Sequence, residues 1–347
     1  DAVARRFHGV LRARKRRLST RRPVTYNVWE AVYMDHSLPK LLRLADLAAG
    51  VGVERFVLDD GWFGARRDDT AGLGDWTPSP AVWPEGLAPI IDHVTGLGMQ
   101  FGLWVEPEMV NPDSDLYRAH PEWALVTEGY EPVLGRHQLV LDLARPEAFA
   151  HVLGQLDALL RDHDIAYVKW DMNRRHAQGS GADGAAGTHA QTLAFYALVD
   201  ELRRRHPAVE FESCASGGGR IDLEVLRRTC RVWTSDCNDA LERQTIQRGA
   251  SMLLPFEVMG AHIGPERSHT TGRVHSLAFR SLSAFFGHLG VECDVRALTD
   301  DDRTALAETI QLHQRCRGLL HSGDTVRFDP VRNGEAPATQ AYGVYSA

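Results

Sequence analysis

At 347 residues the chain is too long for one small domain and suits one large barrel, which takes roughly 250 residues before insertions. Its composition, 44% hydrophobic, 24% charged and 8% aromatic with a formal net charge of −7, excludes collagen, a coiled coil and a disordered polymer, and offers nucleic acid no overall attraction. No run approaches the ~18 consecutive apolar residues of a membrane span, and Cys214, Cys230, Cys237, Cys293 and Cys316 form no C-x-x-C pair, which points to reduced thiols in a cytoplasmic protein instead of a disulfide framework or a zinc ribbon.

The N-terminal stretch is basic, with Arg5, Arg6, Arg12, Arg14, Lys15, Arg16, Arg17, Arg21 and Arg22. It lacks the interleaved aromatics on which bases stack, so it reads as a solvated linker helix and not as a phosphate-binding arm. Residues 1–24 are expected to connect to a missing N-terminal β domain. From Thr25 on, short β-branched or aromatic runs alternate with amphipathic stretches, the pattern of parallel strands joined by helices. Strands are predicted at Thr25–Glu30, Arg55–Asp60, Gln100–Glu106, Tyr167–Asn173, Val209–Ala215, Arg231–Asp236, Ser251–Val258 and Phe285–Glu292. Helices are predicted at Pro39–Ala49, Gly86–Leu97, Pro146–Asp162, His189–His206, Asp222–Arg228, Ala240–Gly249, Gly272–Leu282 and Asp301–Leu319. Pro39, Pro146 and the acidic cluster from Asp300 supply helix starts, and Gly50 and Gly98 supply stops.

Eight strands each followed by a helix predict a closed (β/α)8 TIM barrel over residues 25–322, with residues 323–347 opening a further, truncated β domain. An open dinucleotide-binding sheet would want a glycine-rich turn after the first strand, where the chain has Trp29, Glu30 and Ala31. Long loops follow the second, third and fourth strands, the side on which such barrels build active sites. Residues 179–187 are low in complexity and read as a loop.

The strand ends carry the chemistry. Trp29 and Glu30, Asp59, Asp60 and Trp62, Trp104, Glu106 and Glu108, Lys169, Asp171 and Asn173, Glu212 and Cys214, and Asp236, Asn238 and Asp239 all fall there, and a barrel brings such ends to one bowl. Residues two apart share a strand face, so Lys169, Asp171 and Asn173 can point inward while Trp170 and Met172 pack outward. An ammonium two residues from a carboxylate favours its ionised form, which a nucleophile needs; the alternative is a Lys–Asp pair that steadies the barrel interior. Glycoside hydrolysis with retention takes two carboxyls roughly 5–5.5 Å apart, one to attack and one to protonate the leaving oxygen. Asp171 and Asp236 offer that pair, the Asp59–Asp60 pair suits vicinal hydroxyls, and Trp29, Trp62, Trp104 and Trp233 serve either as sugar platforms or as packing. The glycines of SCASGGGR, from Ser213, precede no Lys-Ser/Thr, so the loop is not a P-loop and reads as a backbone brought close to a ligand. His262, His269 and His275 match no metal-ligand spacing and are expected in loops or on a polar helix face; neither metal nor cofactor is called for.

The order of motifs resembles glycoside hydrolase family thirty-six, the bacterial and fungal α-galactosidases. The resemblance runs through YNVWEA, FVLDDGWFG, GDWTPSPAVWPEGL, GLWVEPEMVNPDSDLY, HPEWAL, LVLDLARPE, YVKWDMNR, ESCASGGGRID, VWTSDCNDALERQ and HTTGR, over about residues 5–330. It implies that Asp171 of KWDMNR is the nucleophile and Asp236 of WTSD the general acid/base. It also implies that Asp59 and Asp60 bind the galactose hydroxyls, with Trp29, Trp104, Arg136, Lys169, Asn173, Cys214 and Gly217 around them. The family's usual large N-terminal β-sandwich, small C-terminal β domain and homo-tetrameric assembly are implied as well. The expected substrate is a galacto-oligosaccharide of the melibiose or raffinose type.

Rival readings keep the fold and change the chemistry. An α-galactosyltransferase like the raffinose synthases would replace water by an acceptor sugar. An α-N-acetylgalactosaminidase would need room for an acetamido group where Cys214 and Gly217–Gly219 sit. A non-catalytic sugar-binding barrel would lack one carboxylate, and a metal-dependent hydrolase would want histidines at the strand ends beside Lys169.

Overall fold

The computed structural model describes residues 2–14, 21–180, 184–328 and 341–346. Residues 15–17 of the basic run, 181–183 of the low-complexity stretch and 329–340 of the C-terminal segment lie outside the described residues. A closed parallel barrel is built from β1 (Thr25–Asn27), β2 (Arg55–Leu58), β3 (Gln100–Val105), β4 (Tyr167–Trp170), β5 (Glu210–Ser213), β6 (Arg231–Trp233), β7 (Met259–Ile263) and β8 (His288–Val291), with β8 pairing β1 to close the ring. The helices Leu38–Gly50, Ala88–Gly96, Pro146–Asp162, Thr188–Arg205, Leu223–Arg228, Ala240–Ala250, Leu277–Ala284 and Asp300–Leu320 follow the strands in turn. This is the expected (β/α)8 TIM barrel. Among the described residues no helix is long and apolar enough to cross a membrane.

The helices form because each has one apolar stripe to bury. Leu41, Leu44, Ala45 and Ala48 of the first barrel helix, and Val152, Leu156 and Leu159 of Pro146–Asp162, face the outer sides of the strands in one continuous core. Each of these leucine or valine side chains contributes about 1.5–3 kcal/mol when buried, and an alanine less. Caps fix where helices begin: Ser276 accepts from the Phe279 N–H, and Asp239 from those of Leu241 and Glu242. The Ser276 cap is why the helix expected from Gly272 starts only at Leu277.

Two expectations are corrected. The seventh strand is Met259–Ile263, not Ser251–Val258; Pro255 has no N–H to give a ladder, and Phe256–Val258 makes a 3-10 turn. Its Leu254, Phe256 and Val258 are apolar because they pack with Leu11 and Leu226 in a second cluster. For the same reason the N-terminal helix Ala2–Arg14 is not simply solvated. Ala4, His8 and Leu11 are buried against the barrel, with Arg12 on Glu257 at 2.7 Å and the His8 ring on the Ser251 carbonyl at 3.0 Å. Two small antiparallel sheets complete the chain, Met109–Val110 with Leu139–Val140 in the loop after β3, and Asp324–Arg327 with Tyr342–Tyr345.

Inside the barrel the filling is polar. Arg55 meets Glu210 at 2.5 Å, Arg231 meets Glu212 at 2.5 Å, and the Tyr167 hydroxyl donates to the same Glu212. One layer higher His262 contacts Glu292 at 2.6 Å and Arg231 from its other ring nitrogen. Burial and the neighbouring Arg231 and Arg243 hold the His262 imidazole well below its ordinary range. Room for these groups comes from Gly290, where a methyl would overlap the His262 ring. His262 thus sits in a buried strand and not, as expected, in a loop or on a helix face.

Candidate active site

Asp171 follows β4 directly, and its N–H continues the ladder to the Val105 carbonyl at 2.8 Å. Its Oδ1 accepts from the Met172 N–H at 2.8 Å, and its Oδ2 from Trp104 Nε1 at 3.1 Å and Asn173 Nδ2 at 2.9 Å. Three N–H donors and no acceptor converge on this side chain, the surroundings of a carboxylate that accepts without donating. Asn173 is shared: its Nδ2 also donates to Glu106 Oε2 at 3.0 Å, its backbone N–H donates to Glu106 Oε1, and its side-chain Oδ1 accepts from Ser216 Oγ at 3.1 Å. Glu106 is wholly buried, and burial together with the negative Asp171 pushes its carboxyl up to about 8.

Asp59 and Asp60 follow β2 directly and turn to different partners. Asp59 Oδ2 accepts from Asn27 Nδ2 at 2.7 Å and from Lys169 Nζ at 2.8 Å. Burial would lower the Lys169 ammonium, but Asp59 and the further negative groups around it reverse this and hold it well above its ordinary value. Asp60 is gripped by Arg66, Nε at 3.0 Å and Nη2 at 2.8 Å; burial nonetheless keeps its carboxyl above the usual range, with Asp59 and Asp171 adding to the rise. Each buried carboxylate of this pair therefore has its own cation.

Asp236 lies three residues beyond β6 and is open to the mouth of the bowl. The protein crowded around that concavity and the charge of Asp171 raise its carboxyl above the ordinary value, while Lys169 and Arg136 oppose the rise. The buried Cys214 thiol stands 4.0 Å from Asp236 Oδ1 and accepts from the Gly217 N–H at 3.4 Å. Burial, then Asp171 and Asp236, push this thiol well up, so it stays protonated. Gly217 has φ +80°, and a methyl there would stand 2.5 Å from Ser235 Cα and 2.7 Å from the Asp236 nitrogen. The glycine loop of β5 thus serves as the floor on which Asp236 rests. Arg136 sits in a two-residue turn, where it and His137 both adopt positive φ, closed by reciprocal Gly135–Gln138 backbone bonds.

Hydrogen bonds and charge interactions link Asp59, Asp60, Trp104, Lys169, Asp171, Asn173, Cys214, Gly217 and Asp236 around one bowl, Arg136 reaches it through its charge on Asp236, and Trp29 stands beside it, its N–H donating to Asn27 Oδ1. Other strand-end residues do not join them. Glu108 is bound by Arg220 at 2.8 Å and by Trp170 Nε1 at 2.9 Å, outside the barrel wall; Glu212 is one layer too deep; Asp239 caps a helix and holds His275 at 3.0 Å. The tryptophans also divide. Trp104 is 2% exposed and stacks on Phe63, so it presents its N–H and not its face, and Trp62 is buried beneath it, donating to the Trp104 carbonyl. Trp233 packs on His262 and Arg243. Trp29 is half-buried on the rim, edge-on to Tyr33, whose other neighbour is His269. Sequence reasoning left out Asn27, Arg66 and the bridging role of Glu106. Asn27 was the most legible of these, being two residues from Thr25 on an inward strand face. Among the described residues, no cluster of three or more His, Cys, Asp or Glu side chains is arranged to hold a metal ion.

A family model described as Melibiase matches residues 1–323. The chain is 51% identical over 331 residues to an alpha-galactosidase of Escherichia coli, covering 95% of this chain and 47% of that one. It is 39% identical over 345 residues to the alpha-galactosidase AgaA of Geobacillus stearothermophilus, covering 97% of this chain and 47% of AgaA. The crystal structure of a doubly substituted AgaA in complex with raffinose superposes with a TM-score of 0.90 at 39% identity, over 93% of this chain and 46% of that one. The chain spans about half the length of the curated relatives it matches.

Proposed function

The chain belongs to the melibiase family, the α-galactosidases of glycoside hydrolase family 36, and on that premise we propose that it is the catalytic barrel of a retaining α-galactosidase acting on raffinose-type galacto-oligosaccharides. The observation that carries the reading is the unlike setting of two carboxyls in one bowl. Asp171 is buried under three N–H donors, whereas Asp236 is open with a raised proton affinity. Environments that push two acids apart assign one as base or nucleophile and the other as acid.

Asp171 attacks the anomeric carbon as the bond to the leaving oxygen breaks, and the proton of Asp236 passes to that oxygen. Asp236, now ionised, then takes a proton from water, whose oxygen displaces Asp171 from the same carbon, so the sugar leaves with its configuration retained. Asp59 and Asp60, locked by Lys169 and Arg66, accept from sugar hydroxyls, and Cys214 and Gly217 bound the space beside them. That loop, made of a thiol and glycines, offers no paired side-chain donor and acceptor for an acetamido group, which favours galactose over its N-acetylated relative. Residues 25–322 are the catalytic unit, with residues 1–24 and 323–347 as joins to flanking domains, since the relatives are about twice this length. The full-length protein acts as a homo-tetramer in the cytoplasm, where Cys214, Cys237, Cys293 and Cys316, free thiols in this structure, stay reduced.

The test is hydrolysis of an aryl α-galactoside by the full-length protein and its Asp171→Asn variant, with the released anomer followed by NMR. α-Galactose appearing first, and only from the unsubstituted protein, supports the reading. A variant that turns over at a near-normal rate refutes the nucleophile, and transfer to an added sugar in place of hydrolysis moves the protein to the transferase class.

A further inference from the structure

Glu106 is the first residue after β3, its carboxyl has no exposure, and the mechanism above gives it no task. The cations nearest the bowl are committed elsewhere, Arg66 to Asp60 and Lys169 to Asp59. What Glu106 does hold is Asn173, by two bonds: the backbone N–H to Oε1 and Nδ2 to Oε2 at 3.0 Å. A carboxamide nitrogen has two hydrogens, and the second of these goes to Asp171 Oδ2 at 2.9 Å. Turning the Asn173 amide over would set its oxygen against two carboxyls and break the bond from Ser216 Oγ. Glu106 therefore decides which way that amide faces, and the amide fixes the oxygen of Asp171.

We infer that Glu106 is a positioning residue for the nucleophile, holding Asp171 in its attacking orientation through Asn173. This rests on the reading of Asp171 as the nucleophile. Two full negative charges bridged by one amide in a buried site would repel strongly, and the surroundings supply the remedy. The charged groups around Glu106 are Asp171, Asp60 and Arg66, and burial with Asp171 foremost among them raises its carboxyl to about 8, so near neutral pH it keeps its proton. The hydroxyl of a protonated Glu106 needs an acceptor. The Gln138 carboxamide lies 3.5 Å from Glu106 Oε2, and its Oε1 is buried without a hydrogen-bond partner; turned over, it accepts that proton. The pair thus carries one negative charge, and it stays on Asp171, where three N–H groups converge.

The experiment is a double-mutant cycle on the full-length enzyme, with Glu106→Ala, Glu106→Gln, Asn173→Ala and the Glu106→Gln/Asn173→Ala double variant assayed on an aryl α-galactoside. The expected result is a fall in kcat of about 100-fold for Glu106→Ala. Partial rescue to about tenfold is expected in Glu106→Gln, whose amide oxygen still accepts from the Asn173 backbone, with KM changed less than threefold in both. The double variant should be no more than about threefold slower than the slower single variant, because both substitutions cut one chain. If Glu106→Ala does not fold, the cycle with Glu106→Gln carries the test alone. Multiplying effects in the double variant, or kcat within threefold of the parent in Glu106→Gln, overturn the inference while leaving the galactosidase reading intact. No hydrolysis by the unsubstituted enzyme overturns that reading and this inference together.

Discussion

Gly217→Ala puts the acid/base assignment under direct strain. The added methyl would stand 2.5 Å from Ser235 Cα and 2.7 Å from the Asp236 nitrogen, both backbone atoms that cannot swing aside. Comfortable carbon separations are about 3.5–4.0 Å, so the Asp236 segment has to retreat by about 1 Å. The left-handed backbone at φ +80° adds about 1–2 kcal/mol of conformational cost for a residue with a Cβ. A misplacement of about 1 Å in a catalytic group costs on the order of 100-fold, equivalent to about 2.7 kcal/mol in the barrier. That loss should appear in kcat/KM, which reports the first step, with melibiose, whose leaving sugar needs a proton, and shrink below about tenfold with a dinitrophenyl α-galactoside, whose leaving group does not. Gly86→Ala is the control, because Gly86 also has positive φ, at +71°, but has nothing within 4 Å of the added methyl, so it reports the backbone cost alone. Equal losses on both substrates, or a Gly217→Ala enzyme of normal rate on melibiose, would refute the claim that this loop seats the acid.

The interior pairs make further predictions. Lys169→Met removes the ammonium bonded to Asp59 and leaves that buried carboxylate with two neutral donors, Asn27 Nδ2 and the Asp60 N–H, so KM for the galactoside should rise at least tenfold and urea unfolding should show a loss of about 3–5 kcal/mol. A KM within twofold of the parent would mean that Asp59 does not hold the sugar. Two buried histidines of the last barrel helix and its C-terminal cap contribute to the response to acid. Burial lowers His313 and His321 from 6.5 to about 4, each ring bonding a backbone carbonyl, of Phe285 and Gly287. The unfolded chain then binds protons that the folded chain refuses. Stability is complete above pH 6.5, declines from there toward pH 4, and is not recovered below. The Tm of the full-length protein should fall between pH 7 and pH 5, and His321→Gln should flatten that fall; an unchanged slope would place the acid sensitivity elsewhere.

Much of this was legible because the strong periodic segments are also the functional ones. KWDMNR reads as inward Lys169 and Asp171 with outward Trp170, and the structure packs Trp170 on Phe195, outside the barrel wall. The limits have physical causes. The seventh strand was missed because its interior positions hold Gly260 and His262, so it lacks the apolar continuity of a strand, while the preceding MLLPFEV is apolar for the sake of a different cluster. Glu106 and Glu108 look alike in sequence, but β3 ends at Val105, and past a strand end the two-residue periodicity no longer tells which face a side chain joins. Glu212 does face inward, yet the sequence carries no measure of depth, and one layer separates a residue that opens on the bowl from one that pairs with Arg231.

The distribution of charge in the bowl gives these placements a single logic. The carboxyls of Asp59, Asp60, Glu106, Asp171 and Asp236 surround it, and the cations bonded to them are Lys169 and Arg66, each spent on one member of the Asp59–Asp60 pair. The remaining three cannot all ionise at such close quarters, and the two raised above their ordinary values are Glu106 and Asp236. On the proposed reading the negative charge left over sits on Asp171, beneath the carbon that becomes positive as the glycosidic bond breaks, and a fixed carboxylate there would stabilise the oxocarbenium-like transition state more than the neutral substrate. In the same proposal protonated Asp236 stands on the open side, from which the leaving sugar would depart and water enter. Placing the acid in the buried position and the nucleophile at the mouth would reverse both advantages, which is why the order in which the sequence delivers them, KWD after β4 and WTSD after β6, matters to the chemistry as much as the residues themselves.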